Sequence, residues 1–138
     1  MTVLSVSPSQ SDHRFLEASA GACNCQLVQA VGLIDALAVL NRCEVNVVVY
    51  DHDSPSGNWR EMLQYLQESS NPAALIITSR LADERLWAEA LNLGAWDVLA
   101  KPFDQGEVTR SIEWACQHRA YAAGRAAITN CQKANSSC

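Results

Sequence analysis

Three residues in this chain have side chains suited to chemistry at a phosphoryl group, and each closes an apolar run. Asp51 follows VVVY, Thr78 follows ALII and Lys101 follows DVLA. A carboxylate can attack phosphorus as a nucleophile. A hydroxyl and an ammonium can hold the transferred oxygens, where negative charge resides. Such transfer is mostly positioning and charge neutralisation, so a divalent metal normally completes the set. Each residue also has a plainer role: Asp51 as a loop cap, Thr78 as a strand former, Lys101 as a solvated charge. Their recurrence at matching positions is what argues for one shared site.

The elements that must position them alternate along the chain. Val3–Val6 reads as a strand, followed by a helix from Ser9 to about Ala20, with Ser9 and Asp12 spaced as a capping box that carries Asp. Cys25–Ala30 is a weaker strand. After Gly32, Leu33, Leu37 and Leu40 fall on one helix face. Val45–Tyr50 is the third strand, and Trp59, Met62, Leu63 and Leu66 mark the next helix. Ala74–Thr78 is the fourth strand, entered through Asn71-Pro72. Asp83 caps a helix carrying Leu86, Ala90 and Leu93, which Gly94 ends. Asp97–Ala100 is the fifth strand, and Val108, Ile112 and Ala115 line a fifth helix that runs past Ala120.

Five such units predict a three-layer α/β fold, a doubly wound five-stranded parallel sheet with helices on both faces. Strands three and four are apolar throughout, as strands covered on both sides must be. Right-handed crossovers leave the order 2-1-3-4-5 as the leading topology. Ligands of such sheets bind beyond the carboxyl ends of the strands. Those ends bring Ser7 and Pro8, Asp51, Thr78 and Ser79, and Lys101 to one crevice. Residues 1–120 form the domain and 121–138 a helix extension and tail without periodicity.

Composition narrows the function classes. A chain of 138 residues with 49% hydrophobic residues can bury roughly 68% of its unfolded surface without staples. A net charge of −5 argues against nucleic-acid binding, which needs clustered Lys and Arg. No apolar run approaches the ~20 residues of a membrane helix, and MTVLSVSPSQSDH lacks a basic start before its apolar run, so a cytoplasmic protein is expected. Six cysteines include Cys23-Asn24-Cys25 but no CxxC, a weak metal signal. Dispersed His13, His52 and His118 argue against a hydrolase. A nucleotide-binding protein of the same fold class would need a glycine-rich loop after strand one, and the segment there is SVSPSQSD.

The chain resembles the receiver domains of bacterial two-component response regulators, over about residues 2 to 120. Asp51 with Pro55 four positions on, Thr78 in ALIITSR, and Lys101-Pro102-Phe103 in GAWDVLAKPF carry the likeness. The resemblance implies a flavodoxin-like fold and a phosphoacceptor at Asp51 served by Thr78 and Lys101. It implies no enzyme, but a phosphorelay module whose partners are a histidine kinase, a downstream effector or a second copy in a homodimer.

The departures bear on function. Where the family places the acidic pair that holds Mg²⁺, this chain has Ser7 and Pro8; Val98 stands at the aromatic switch position, and Ser54 precedes Pro55. Asp51 and Asp53 are left as weak metal ligands, with Asp12 as a further loop carboxylate, and Lys101 free to pair with Asp51. The expected protein is a degenerate receiver acting through its α4–β5–α5 side with weak or absent Mg²⁺-dependent phosphorylation. Its alternative is a working phosphoacceptor. Trp87, Trp96 and Trp114 fall in that region, and exposure of one would mark a contact surface.

Overall fold

Apolar residues at every position of the third strand demand cover on both faces, and the chain supplies it. The computed structural model describes residues 1–53, 58–69 and 73–117. Its elements alternate as β1 (Thr2–Val6), α1 (Gln10–Ala22), β2 (Gln26–Ala30), α2 (Leu33–Arg42), β3 (Val47–Asp51), α3 (Trp59–Glu68), β4 (Ala74–Ser79), α4 (Glu84–Leu93) and β5 (Asp97–Ala100). A fifth helix, α5, covers 105–117 of the described residues. All pairings are parallel, and the sheet order is β2-β1-β3-β4-β5, as the sequence predicts. Among the described residues no helix is long and apolar enough to cross a membrane.

Side-chain alternation divides the core in two. Leu4, Val48, Tyr50, Leu75 and Ile77 face α2, α3 and α4. Val3, Val47, Val49, Ile76 and Leu99 face α1 and α5, meeting Leu16, Val108, Ile112 and Ala115. Each fully buried aliphatic side chain contributes about 1.5–3 kcal/mol of transfer free energy. Continuing the same alternation beyond the second set gives Ser7, Asp51, Thr78 and Lys101. The register agrees, pairing Asp51 with Thr78 across β3 and β4. One face of the sheet therefore runs from an apolar core into a polar rim at its carboxyl end.

Local signals set the helix ends. Ser9, Asn58 and Asp83 cap α1, α3 and α4 through their side chains. Gly94 ends α4 at φ 116°, a backbone that disfavours a side chain.

Two expected faces differ. In α2 the buried set is Leu33, Ala36 and Val39, while Leu37 and Leu40 pack only at the edge of the core. Spacings of three keep pace with the sheet there, because small Ala36 lets the helix approach closely. Leu93 is 47% exposed, since it falls in the last turn, where α4 departs toward Gly94. The expected continuation past Ala120, the tail 121–138, Asn71-Pro72, Ser54, Pro55, His118, Cys131 and Cys138 lie outside the described residues.

Candidate functional site

Asp51 is the last residue of β3 and is 5% exposed. A carboxylate so placed needs partners, because an unpaired buried charge costs several kcal/mol. Its Oδ1 accepts from Lys101 Nζ at 2.9 Å and from the Asp53 backbone N–H at 3.1 Å. Lys101, one residue past β5, also donates to Asp12 Oδ2 at 2.7 Å. The lysine ammonium thus bridges two carboxylates, and all three side chains are at most 13% exposed. Burial by itself pulls the lysine's pKa down, but the hydrogen bonds and charges of Asp12 and Asp51 outweigh it and hold the pKa above the ordinary value.

Asp12 reaches this point from the first turn of α1. Its spacing from Ser9 reads as a capping box, yet its carboxylate leaves the cap and turns to the crevice. The Ser7 hydroxyl donates to Asp12 Oδ2 at 2.8 Å, lies 3.5 Å from Asp51 Oδ2, and accepts from Ser9 N–H at 3.1 Å. Ser7, read as a loss in the sequence, is thus a strut between the two acids. Below it His13 is buried, with Nε2 2.8 Å from the Ser7 carbonyl and Nδ1 2.7 Å from Ser5 Oγ. A carbonyl only accepts, so Nε2 carries the hydrogen of that contact.

Asp53 is committed elsewhere. Its carboxylate accepts from Ser79 Oγ and from Arg80 N–H, both at 2.9 Å. Burial pushes its pKa up, but those two bonds, with the charges of Lys101 and His52, hold it below the usual carboxylate value. The hydroxyls that touch the carboxylates of Asp12, Asp51 and Asp53 are, among the described residues, those of Ser7 and Ser79. Thr78 is buried beside Asp51 in the ladder, and its carbonyl accepts from His52 N–H at 2.8 Å. Pro8 is exposed in the loop before α1. Val98 is buried on the opposite face of β5, among Leu86 and Ala90.

An open cleft above the site is lined by Asp12, Phe15, Arg80, Lys101, Pro102 and Phe103. The Phe15 and Phe103 rings lie 5.0 Å apart between their centres, and Lys101 Nζ stands 5.9 Å from the centre of Phe103. Its cations suit an incoming phosphoryl group. Mg²⁺ is a different matter, since it needs a near-octahedral oxygen shell. Among the described residues no group of three or more His, Cys, Asp or Glu side chains is arranged to hold a metal. Asp12 and Asp51 do converge, but on the Lys101 ammonium. The residues as arranged do not form an oxygen cage for Mg²⁺.

Sequence reasoning found Asp51 and Lys101 from strand ends alone. It ranked Asp12 behind the loop acids, although first-turn acids of a helix that follows β1 must face the carboxyl edge of the sheet. Ser79 carried its signal in the fourth strand's end. Arg80 carried none.

Comparison with known proteins gives the family. Residues 12–113 match the family described as response regulator receiver domain. The chain is 32% identical over 114 residues to the transcriptional regulatory protein FixJ of Bradyrhizobium diazoefficiens, covering 83% of this chain and 54% of that protein. FixJ of Azorhizobium caulinodans is 32% identical over 98 residues, 71% of this chain and 45% of that one. The chain thus spans about half the length of these relatives. In fold it is similar to the Francisella response regulator 1452 receiver domain, with a TM-score of 0.74, 23% identity and coverage of 85% and 97%. The chemotaxis response regulator CheY4 of Vibrio cholerae gives 0.73, 18%, 83% and 97%. With the match running over residues 12–113, most of its length, the chain belongs to the response regulator receiver domains.

Proposed function

We propose that this receiver is degenerate at its metal site and signals mainly through protein contacts, with weak or absent Mg²⁺-dependent phosphorylation at Asp51. The observation that carries this reading is the Lys101 ammonium between Asp12 and Asp51. Receiver domains typically bind Mg²⁺ at an acidic pocket; here a lysine supplies the positive charge. The cluster of two carboxylates and one ammonium carries one net negative charge. A phosphoryl group on Asp51 adds negative charge against Asp12, and among the described residues the cations lining the cleft are Lys101 and Arg80. Phosphoryl transfer depends on such neutralisation, so the step is disfavoured without a further cation.

Contact through the α4–β5–α5 side is supported by its tryptophans. Trp87 on α4 and Trp114 on α5 are 52% and 59% exposed, while Trp96 packs at the edge of the core. Exposed Trp is enriched among interface hot spots. The partners proposed are a histidine kinase, a downstream effector or a second copy of the chain, all met in the cytoplasm. Receiver domains are signalling modules and no enzymatic role is assigned. Buried Val98 has no ring to relay a change at Asp51, so the surface acts as a fixed platform.

A second reading, a working phosphoacceptor, is favoured by one observation. Asp12 brings a second carboxylate to the site despite Ser7 and Pro8, and Lys101 would need only to swing aside. A Mg²⁺ titration followed at the backbone amides separates the two. The degenerate reading expects no saturable shift at Asp51 and Asp53, whereas saturable shifts at both would replace it with the second.

A further inference from the structure

The turn between α1 and β2 is Cys23-Asn24-Cys25, and its sulfurs face α5. Asn24 takes φ 58°, a left-handed conformation that Asn tolerates. The N–H groups of Cys23 and Cys25 both donate to the Ala20 carbonyl, at 3.0 and 2.8 Å, which folds the turn back on α1. Cys23 Sγ then lies 3.5 Å from the Thr109 carbonyl of α5. Cys25 Sγ lies 3.5 Å from Cys116 Sγ, across 91 positions of sequence. Cys25 is partly exposed and Cys116 is buried at 7%.

We propose that Cys25 and Cys116 are a dithiol oxidation site that takes a low-molecular-weight organic disulfide as its oxidant and closes to a bond tethering α5 to the α1–β2 turn. Two sulfurs in contact at 3.5 Å need to approach by about 1.5 Å to bond. Side-chain rotation at Cys25, on a turn rather than inside a helix, supplies that movement. Exposure sets the order of steps. The reachable Cys25 loses its proton to solvent and its thiolate attacks one sulfur of the reagent. The reagent's sulfur–sulfur bond breaks, and the departing thiolate takes up a proton. Cys116 then gives up its proton and attacks Cys25 Sγ in the mixed disulfide as thiolate; the bond between Cys25 and the reagent's sulfur breaks, and the departing thiolate takes up a proton as the second thiol. Two protein thiols are oxidised and one disulfide is reduced to two thiols, so atoms and two electrons balance. Cys116 suits the second role by position: it is buried away from a free reagent, and its sulfur already lies against Cys25.

The tether would restrain the helix that carries exposed Trp114, two residues before Cys116. It acts independently of Asp51, Asp12 and Lys101, on the far end of the same layer.

The test uses the full chain, oxidised glutathione, rapid alkylation and peptide mapping by mass spectrometry, with circular dichroism to verify the fold. The wild type is expected to yield a Cys25–Cys116 cross-linked peptide about 2 Da lighter than the two thiol peptides together, with no glutathione retained at Cys25. Cys116→Ala should stop at glutathione on Cys25, Cys25→Ser should leave Cys116 free, and Cys23→Ser should keep the cross-link. Folded wild type in which Cys25 and Cys116 are both alkylated would overturn the proposal. So would a cross-link through Cys23, or glutathione retained at Cys25 to the same extent with and without Cys116.

Discussion

Replacing Lys101 with methionine removes the cation that, among the described residues, lies within hydrogen-bonding reach of Asp12 and Asp51, and leaves two buried carboxylates aimed at one point. The lysine, Asp51 and Asp12 side chains are 10%, 7% and 13% exposed, so solvent screens little of the repulsion. Removing one partner of a buried ion pair costs about 3–5 kcal/mol. Ser7 and the Asp53 N–H still serve the acids, and the cleft above them is open to water. We therefore expect the low end, about 3 kcal/mol, a large share of the ~5–15 kcal/mol that holds a domain together. Asp51→Asn leaves the Lys101–Asp12 pair intact and should cost about 1 kcal/mol. In the double variant the remaining Asp12 has no like charge beside it. Its loss should then fall short of the sum by about 1–3 kcal/mol. Urea unfolding at pH 7, with equal denaturant slopes for all four proteins, reads these values. The lysine's pKa is raised, so its contribution is complete below the ordinary lysine value of about 10.4 and is lost as pH rises through the higher folded value. The gap between wild type and Lys101→Met should hold from neutral pH to about 10 and shrink above it. A Lys101→Met variant as stable as wild type, or less perturbed than Asp51→Asn, refutes the ion-pair cluster.

Asp53 titrates below its ordinary value, so its contribution is present above about pH 3.9 and fades as pH falls through the folded pKa. Ser79→Ala, which removes one of its donors, should move that acid branch upward in a pH series of unfolding midpoints. His13→Leu strips the Ser7 carbonyl and the Ser5 hydroxyl of their partner, a loss of about 1–3 kcal/mol in urea; rescue of Ser7 by water would show as no loss. Gly94→Ala forces a side chain onto φ 116° and sets its Cβ 2.6 Å from Gln67 Nε2. A drop of about 1–2 kcal/mol is expected, and a neutral result would mean that the turn relaxes.

How far the site was legible follows from what kind of residue carries it. Strand-borne groups announced themselves, because β3 and β4 are buried on both faces and any polar residue in line with them marks the carboxyl edge. Asp51 and Lys101 were placed that way, as were all five strands and their order. Boundaries shifted where burial and pairing part company: Val45 is buried yet precedes the ladder, so β3 begins at Val47. Helix-borne groups were harder. Asp12 satisfies a capping pattern, and only the packing of α1 against β1 reveals that its carboxylate turns inward. Asp53 looked like a metal ligand beside Asp51, yet its carboxylate serves Ser79 and Arg80, contacts that run from the loop after β3 to the end of β4 and the residue beyond it. The Cys25–Cys116 contact was illegible, because no local pattern links residues 91 positions apart. Trp87 and Trp114 lie off the buried faces marked by Leu86 and Ala90 and by Val108, Ile112 and Ala115, which leaves both exposed.

On the proposed reading, Lys101 holds the place of a metal at Asp51. Intact-mass spectrometry after incubation with a small-molecule phosphodonor, with and without Mg²⁺, tests it on wild type and Asp51→Asn. Little or no phosphate adduct is expected on folded wild type, unchanged by Mg²⁺. A single Mg²⁺-dependent adduct that vanishes in Asp51→Asn would contradict it and establish a working phosphoacceptor.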